Sequence, residues 1–140
     1  MSDADVWAKI PVEIFSEGRL DLIDEYFSPD YIEHEPPPPG LPATLEGLRM
    51  FATALREAFP DFRYEVLQQY QDGDTHIAHV RGSGTMTGDF MGMPAANKKA
   101  TWDEMHIGRM RDGKVLEHWA VVDQLKMLQE LGFAPLPPAP

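Results

Sequence analysis

The apolar residues of this chain change their spacing at Pro60: they follow a helical period before it and alternate with polar residues after it. Helices are predicted over residues 5–15, 20–27 and 45–59, the last beginning at the N-cap Thr44 and ended by Pro60. Pro11 lies within the first, which predicts either a kinked helix or a new helix starting at the proline. The first half of the chain is therefore expected to be helical and the second half to form a sheet.

Strands are predicted after Pro60 over residues 62–70, 75–87, 100–111 and 114–123. Asp112-Gly113 joins the last two as a two-residue hairpin turn, and residues 88–99 form a flexible loop. A closing helix containing Leu125, Leu128 and Leu131 ends at Gly132. This order gives an α+β fold, in which a curved antiparallel sheet packs on N-terminal helices and a short C-terminal helix follows.

Proline is concentrated in two stretches, residues 36–39 and the tail from about residue 133, which we expect to be extended. Nothing between these stretches resembles a linker, so residues 1–140 are predicted to form one domain. A chain of this length buries enough surface for an ordinary core.

The charge balance and the absence of cysteine exclude several classes of function. The 12 Lys and Arg residues face 23 Asp and Glu residues, a formal net charge of −11, and no basic run is present. We therefore expect no nucleic acid and no membrane among the partners. Without cysteine there is no disulfide, thiolate metal site or cysteine nucleophile. The acidic N-terminus does not resemble a secretory signal, and we expect a cytoplasmic protein.

Regular pairing outward from the Asp112-Gly113 turn would place His106 opposite Trp119 and Trp102 opposite Asp123. One face of the sheet is then predicted to carry Trp102, Glu104, His106, Trp119 and Asp123. The other face is predicted to carry Met105, Ile107, Leu116, His118, Ala120 and Val122. Since helices can cover only one of two apolar faces, we expect the second face to meet another copy of the chain in a homodimer.

The first of these faces is unusual because it combines ionisable groups with tryptophans on a surface that the helices are expected to cover. Buried ionisable groups are costly unless they are paired or functional, so Glu104, His106 and Asp123 are candidate site residues. The alternative is that Glu104 and His106 form ordinary hydrogen bonds at a wet rim. His106 and Asp123 would be about 13 Å apart at ~3.3 Å per residue, so a bulge or a substrate spanning them is needed.

Other motifs give weaker indications. His76 and His79 are three residues apart on a strand and should point to opposite faces, so no metal site is predicted. The glycines between Gly82 and Gly88 do not match a dinucleotide-binding fingerprint. The side chains of Met86, Phe90, Met91 and Met93 are either core or a pliable pocket wall.

Several segments together resemble the SnoaL-like polyketide cyclase family. They are Tyr31-Ile-Glu-His34, Phe59-Pro60-Asp61, Gly84-Thr-Met-Thr-Gly88-Asp-Phe-Met-Gly92-Met-Pro94, His106-Ile-Gly-Arg109-Met-Arg-Asp112-Gly113-Lys114 and Glu117-His-Trp119-Ala-Val-Val-Asp123. The resemblance spans about residues 6–132. It implies a cone-shaped α+β fold and a cofactor-free enzyme that closes a ring by intramolecular aldol addition. The chain departs from many relatives at Ala95-Ala96-Asn97, where they have Pro-Thr-Gly.

The resemblance also implies roles for particular residues. Asp123 stands in the place of the general base, and His106 and His34 match histidines of the family. Desolvation of Asp123 against Trp102 and Trp119 would make its carboxylate a stronger base, and a histidine would steady the enolate. The side chains expected to contact a small apolar carbonyl substrate are Trp102, Trp119, Glu104, Tyr31, Phe59, Phe90 and Met91.

Two other functions stay open at this level. An epoxide hydrolase on the same fold needs two acids flanking an arginine, but Arg109 is predicted to lie on the face opposite Asp123. A dimeric module that binds a small apolar molecule without catalysis is the other alternative. A fixed cation beside Asp123 would favour this binding function.

Overall fold

The structure is a computed structural model that describes residues 1–138, so the last two residues of the proline-rich tail lie outside the described residues. The first helix, α1 (Asp3–Lys9), begins at Ser2, whose side chain accepts a hydrogen bond from the backbone N–H of Asp5. It runs into a π-helical segment, Ile10–Ser16, with Pro11 at its start. Of the two outcomes predicted for Pro11, the start of a new helical segment is confirmed, because proline is tolerated in a first turn.

The second predicted helix is shorter than expected and is followed by a strand that we did not predict. A 3₁₀ turn (Leu20–Leu22) leads into α2 (Ile23–Tyr26), and β1 (Phe27–Glu33) follows directly. β1 pairs in parallel with the last strand at an edge of the sheet. Pro29 within it is compatible with that position, since an edge strand can lack one donor. The predicted strands pair antiparallel as expected, and β1 adds one parallel pair at the edge, so the sheet is mixed.

The remaining elements agree with the predicted order. They are α3 (Leu45–Ala58), β2 (Arg63–Asp72), β3 (Thr75–Thr85), β4 (Lys99–Arg111), β5 (Lys114–Val122) and α4 (Gln124–Leu131). Thr44 caps α3 through the N–H of Gly47, and Gly132, with φ of 86°, ends α4 in the left-handed conformation that glycine favours. The five strands form one curved open sheet in the order β1-β5-β4-β3-β2, and the predicted α+β class is confirmed.

A β-bulge at Leu116 sets the register of the last hairpin. Met110 pairs with Val115, as a two-residue turn requires, but Arg109 pairs with Glu117, so Leu116 is the extra residue. His106 then lies opposite Ala120, not opposite Trp119. The predicted regular pairing is wrong beyond this point, because a one-residue slip moves every later side chain to the other face.

The two faces of the sheet differ in burial along every central strand. On β3 and β4 the even-numbered residues are mostly buried and form the inner face, against the N-terminal helices and α3. Trp7 packs over Gly108, where a Cβ would stand 2.4 Å from the indole ring. The outer face carries exposed apolar side chains: Ile32, Tyr70, Met105, Ile107 and Val121. None of the helices in residues 1–138 has the length and apolar character needed to span a bilayer.

Candidate functional site

Glu104 lies on the inner face at the centre of a buried hydrogen-bonded cluster. Its Oε1 accepts from the Tyr64 hydroxyl at 2.8 Å and lies 2.7 Å from Nε2 of His106, and its Oε2 accepts from the Trp102 indole N–H at 2.7 Å. Glu104 is 5% exposed and Trp102 is 2% exposed. A carboxylate at this depth is tolerated because three donors compensate for the lost water. The alternative that Glu104 lies at a solvent-exposed rim of the sheet is therefore excluded.

Glu104 is held as an anion by its donors. Burial raises the pKa of Glu104, but the hydrogen bond and charge of His106, with the donors of Trp102 and Tyr64, outweigh burial and bring the pKa below its usual value. Burial and the adjacent carboxylate also raise the pKa of Tyr64 far above its usual range, so Tyr64 acts as a hydroxyl donor.

The cluster continues from His106 onto β5 and β1. Nδ1 of His106 lies 2.8 Å from Nε2 of His118, and Nδ1 of His118 lies 2.6 Å from Oε2 and 2.9 Å from Oε1 of Glu33. The two imidazole rings stack with centroids 5.0 Å apart. His118 reaches the inner face because the bulge at Leu116 turns it there. The prediction that His118 lies on the other face is wrong for the same reason.

Asp123 is placed differently from the prediction. It is the N-cap of α4, its side chain is exposed, and its Oδ1 accepts from the backbone N–H of Lys126 at 3.2 Å. The expected burial of this carboxylate between Trp102 and Trp119 is therefore wrong. Asp123 does line a shallow depression of about 440 Å³, whose walls also include Asp103, Glu104, Met105, Val121 and Val122. Since Met105 and Val121 belong to the outer face, this depression is separate from the Glu104 carboxylate on the inner face.

His34 and Trp119 lie together on the outer face, apart from His106. Their rings stack with centroids 4.4 Å apart and planes inclined by 5°. Nε2 of His34 is 2.9 Å from Oε2 of Glu117, and Oε1 of Glu117 accepts from Arg109 at 2.5 Å. The structure thus separates His34 and Trp119 from the other predicted site residues, and the predicted common face is wrong for Trp119.

The other predicted contact residues belong mainly to the core beside Glu104. Phe59 is fully buried and packs against Trp102 and Phe90 with ring centroids 5.9 Å and 6.0 Å apart. Tyr31 is 8% exposed. Burial, together with the charge of Glu33, raises the pKa of Tyr31 to about 12. Met91 differs, since it is 39% exposed and has a φ of 49°.

Sequence reasoning missed Glu33, His118 and Tyr64 as parts of this cluster. Glu33 belongs to the unpredicted strand β1, and His118 depends on the bulge. The position of Tyr64 was available from alternation, since it pairs with Gly82 and shares the inner face with Trp102. The tyrosine hydroxyl, a hydrogen-bond donor on that face, is the feature by which the sequence could have indicated a partner for Glu104.

Two candidate groupings from the sequence can now be located. His76 is buried and His79 faces outward, so the prediction that they point to opposite faces is confirmed. Within residues 1–138, no three His, Asp or Glu side chains are arranged to hold a metal ion. Arg109 is flanked by Asp74 at 3.2 Å and Glu117, but this trio is a half-exposed ion-pair network on the outer face.

The fold and the buried cluster define a small α+β protein whose inner sheet face carries hydrogen-bonded acidic and histidine side chains. The model of the SnoaL-like polyketide cyclase family matches residues 6–131. The nogalonic acid methyl ester cyclase of Streptomyces nogalater is 31% identical over 130 residues, 86% of this chain and 91% of that protein. The aklanonic acid methyl ester cyclase DauD of Streptomyces sp. (strain C5) is 28% identical, covering 92% and 86%.

A structural comparison agrees with the sequence comparisons. Wild-type IdmH of Streptomyces antibioticus superposes with a TM-score of 0.81 at 30% identity, covering 94% of this chain and 99% of that one. The chain belongs to the SnoaL-like polyketide cyclase family. The family resemblance is thereby confirmed, and so is the prediction of a cyclase-type enzyme at the level of the family.

Proposed function

We propose that this chain is a cofactor-independent cyclase that closes a ring in a polyketide methyl ester by intramolecular aldol addition. The observation that carries the proposal is its 31% identity, along 86% of its length, to a methyl ester cyclase. The inner-face cluster supports it, since an aldol addition needs groups that accept and donate protons beside an apolar surface.

In this proposal Asp123 is the general base. Its support is the family resemblance, which implies an aspartate at the end of the last strand as the base; here its side chain lines a depression beside the outer-face residues Met105 and Val121. An exposed aspartate is a weak base in water, so the substrate must supply the desolvation. An apolar polyketide that covers the carboxylate would exclude water from it on binding.

His106 is proposed to assist as a source of positive charge and of protons near the developing enolate or alkoxide oxygen, because its Nδ1 and Nε2 are already engaged by His118 and Glu104. It is partly exposed, with 22% of its side-chain surface accessible, while its Nε2 is anchored on Glu104. The packed rings of Trp102 and Phe59 form an apolar surface on the same side of the sheet. His34 and Trp119 are proposed to act from the outer face, where they support β1 and β5 through their stacked rings.

The test is the variant Asp123→Asn with nogalonic and aklanonic acid methyl esters as probe substrates. Asparagine caps helices as well as aspartate does, so α4 should persist while the base is lost. We expect kcat to fall by about 10²–10⁴-fold with an unchanged melting temperature. Asp30→Asn, at another exposed carboxylate, is the matched control. Undiminished turnover by Asp123→Asn would remove Asp123 from the mechanism.

The same measurements address the non-catalytic alternative. A binding module would bind both esters, show no turnover in the unaltered chain, and bind them equally after Asp123→Asn. One observation speaks against that alternative: the ammonium group of Lys126 pairs with Glu130 at 2.8 Å, and only the backbone N–H of Lys126 contacts the Asp123 carboxylate. A permanently neutralised carboxylate was the expected mark of a binding module.

We also propose a homodimer through the outer face of the sheet. The support is a band of exposed apolar side chains crossing the strands, which monomeric proteins rarely display. Met105 and Ile107 of β4 and Val121 of β5 are 44%, 38% and 74% exposed, respectively. A second copy of the same face is the partner that would cover this band without requiring a charged complement.

A further inference from the structure

Four side chains on the inner face form an unbranched chain of hydrogen bonds. Glu33 contacts His118, His118 contacts His106, and His106 contacts Glu104, with closest distances of 2.6, 2.8 and 2.7 Å. All four are largely shielded, with side-chain exposures of 14% for Glu33, 17% for His118, 22% for His106 and 6% for Glu104.

These contacts fix the number of protons that the four hydrogen-bonded side chains share. Each of the three contacts joins two atoms that carry lone pairs, so each needs one proton between them. Two neutral imidazoles beside two carboxylates supply only two protons. One contact would then set two lone pairs against each other in a partly buried site. Three protons satisfy all three contacts, and the two imidazoles then share one positive charge between two carboxylates.

We infer that Glu33, His118, His106 and Glu104 form a proton relay that holds one proton in common between its two histidines. The inference deepens the proposed cyclase function and rests on it for the catalytic role. Glu33 and His118 thereby become further functional residues of the site.

The two ends of the relay differ in what they can exchange. At the inner end Glu104 is saturated, because its oxygens also accept from Tyr64 and Trp102. At the other end both oxygens of Glu33 lie within 3 Å of the same His118 nitrogen, so one oxygen can form a bond elsewhere. Glu33 is therefore the end through which a proton can pass to a substrate oxygen.

The aldol addition balances with this relay. The general base breaks the C–H bond next to a carbonyl, and that electron pair forms the new C–C bond. The π electrons of the attacked carbonyl become an alkoxide, which takes the proton on Nδ1 of His118 after that proton has moved to the carboxylate of Glu33. His118 and His106 pass protons along to replace it, and the proton on the base returns to the relay through water. No oxidant, reductant or co-reactant is consumed.

Histidine side-chain nitrogen NMR at neutral pH tests the shared proton without any substrate. With His106→Gln and His118→Gln spectra for assignment, we expect three ring-bound protons on the pair and an averaged, partly charged state for both rings. His79→Gln, on the outer face of β3, is the control and should leave these signals unchanged. Two separate neutral rings carrying two protons in all would overturn the relay.

Kinetics with the probe esters test the role of Glu33 and His118. We expect Glu33→Gln and His118→Gln each to lower kcat by about 10²-fold at an unchanged KM. The double variant should be no slower than the slower single variant, because the residues act as one unit. Glu65→Gln, at an exposed position of β2, should retain the original kcat. Unchanged kcat in Glu33→Gln, in a folded protein, would overturn the catalytic role.

The two readouts separate failure of the relay from failure of the proposed function. Three shared protons in a protein that turns over neither ester would support the relay and contradict the cyclase proposal. Turnover with two isolated neutral rings would support the cyclase proposal and overturn the relay.

Discussion

Trp119 stacks flat on His34 at the outer face of the sheet, with the ring centroids 4.4 Å apart. The pair joins β5 to the end of β1, where the parallel pairing is short and irregular. Glu117 holds the ring of His34 in place through a contact to its Nε2. The hydrogen bond from His34, followed by that from Arg109, lowers the pKa of Glu117. The stack therefore anchors the edge strand that carries Glu33.

Removing this stack should loosen β1. We expect His34→Ala to lower the free energy of unfolding by about 1 kcal/mol, the usual contribution of an aromatic pair. Urea denaturation measures the effect, with Arg63→Ala, at an exposed position of β2, as a control. We also expect a smaller fall in kcat for His34→Ala than for His106→Gln. A larger fall would place His34 in the chemistry itself.

The bulge at Leu116 should be required for the site. Deletion of Leu116 restores regular pairing from the turn and would move His118 to the outer face, since a one-residue slip inverts the faces. We expect loss of the His106–His118 contact and a marked fall in stability, because Trp119 would then enter the core. Nitrogen NMR of the histidines and thermal denaturation measure both effects.

A control variant that keeps the bulge sharpens the deletion experiment. Leu116→Ala keeps the extra residue and should preserve the register, with the histidine signals unchanged. A deletion variant that keeps the original histidine signals would show that the turn, and not the bulge, sets the register.

Asp103 should contribute to the acid sensitivity of the fold. Hydrogen bonds from Arg81, and then from His79, lower the pKa of Asp103 from 3.8 to about 2. A lowered pKa stabilises the folded state above the unfolded value, and this contribution is lost as pH falls from about 4 to 2. The side chain is 39% exposed, so solvent screening keeps the effect small.

The variant Asp103→Asn tests this assignment. We expect it to be less stable than the unaltered chain at neutral pH and equally stable at about pH 2, as measured by urea midpoints. Glu17→Gln, at an exposed position away from the sheet, is the control. A stability difference that persists unchanged into strong acid would mean that packing, not charge, makes Asp103 stabilising.

A charge placed in the apolar band should separate the proposed dimer. Ile107→Lys puts an ammonium group at the centre of the band, where burial of an unpaired charge is costly. We expect a shift from dimer to monomer in sedimentation equilibrium, with the far-UV circular dichroism preserved. Glu17→Lys introduces a lysine at an exposed position at the end of the π-helical segment, away from the outer face, and should stay dimeric. A monomer in the unaltered chain would refute the dimer.

Part of the candidate site was predictable because it depends on local patterns. Alternation along β4 places Trp102, Glu104 and His106 on one face, and the structure confirms that grouping. The partners of these residues were not predictable in the same way. Glu33 and His118 join them through a parallel edge strand and a bulge, and neither leaves a periodic signal in the sequence. Asp123 was expected in the interior from the same regular pairing and is instead an exposed helix cap.

The sequence by itself determined the α+β class, the N-cap and end of α3, the last hairpin and the end of α4, because these follow from periodicity, capping and turn chemistry over a few residues. The tertiary structure decided which side chains meet across strands. A single inserted residue in β5 costs little locally but inverts the faces of everything after it, and only pairing over the whole sheet selects that arrangement. The four-residue relay is a product of that selection.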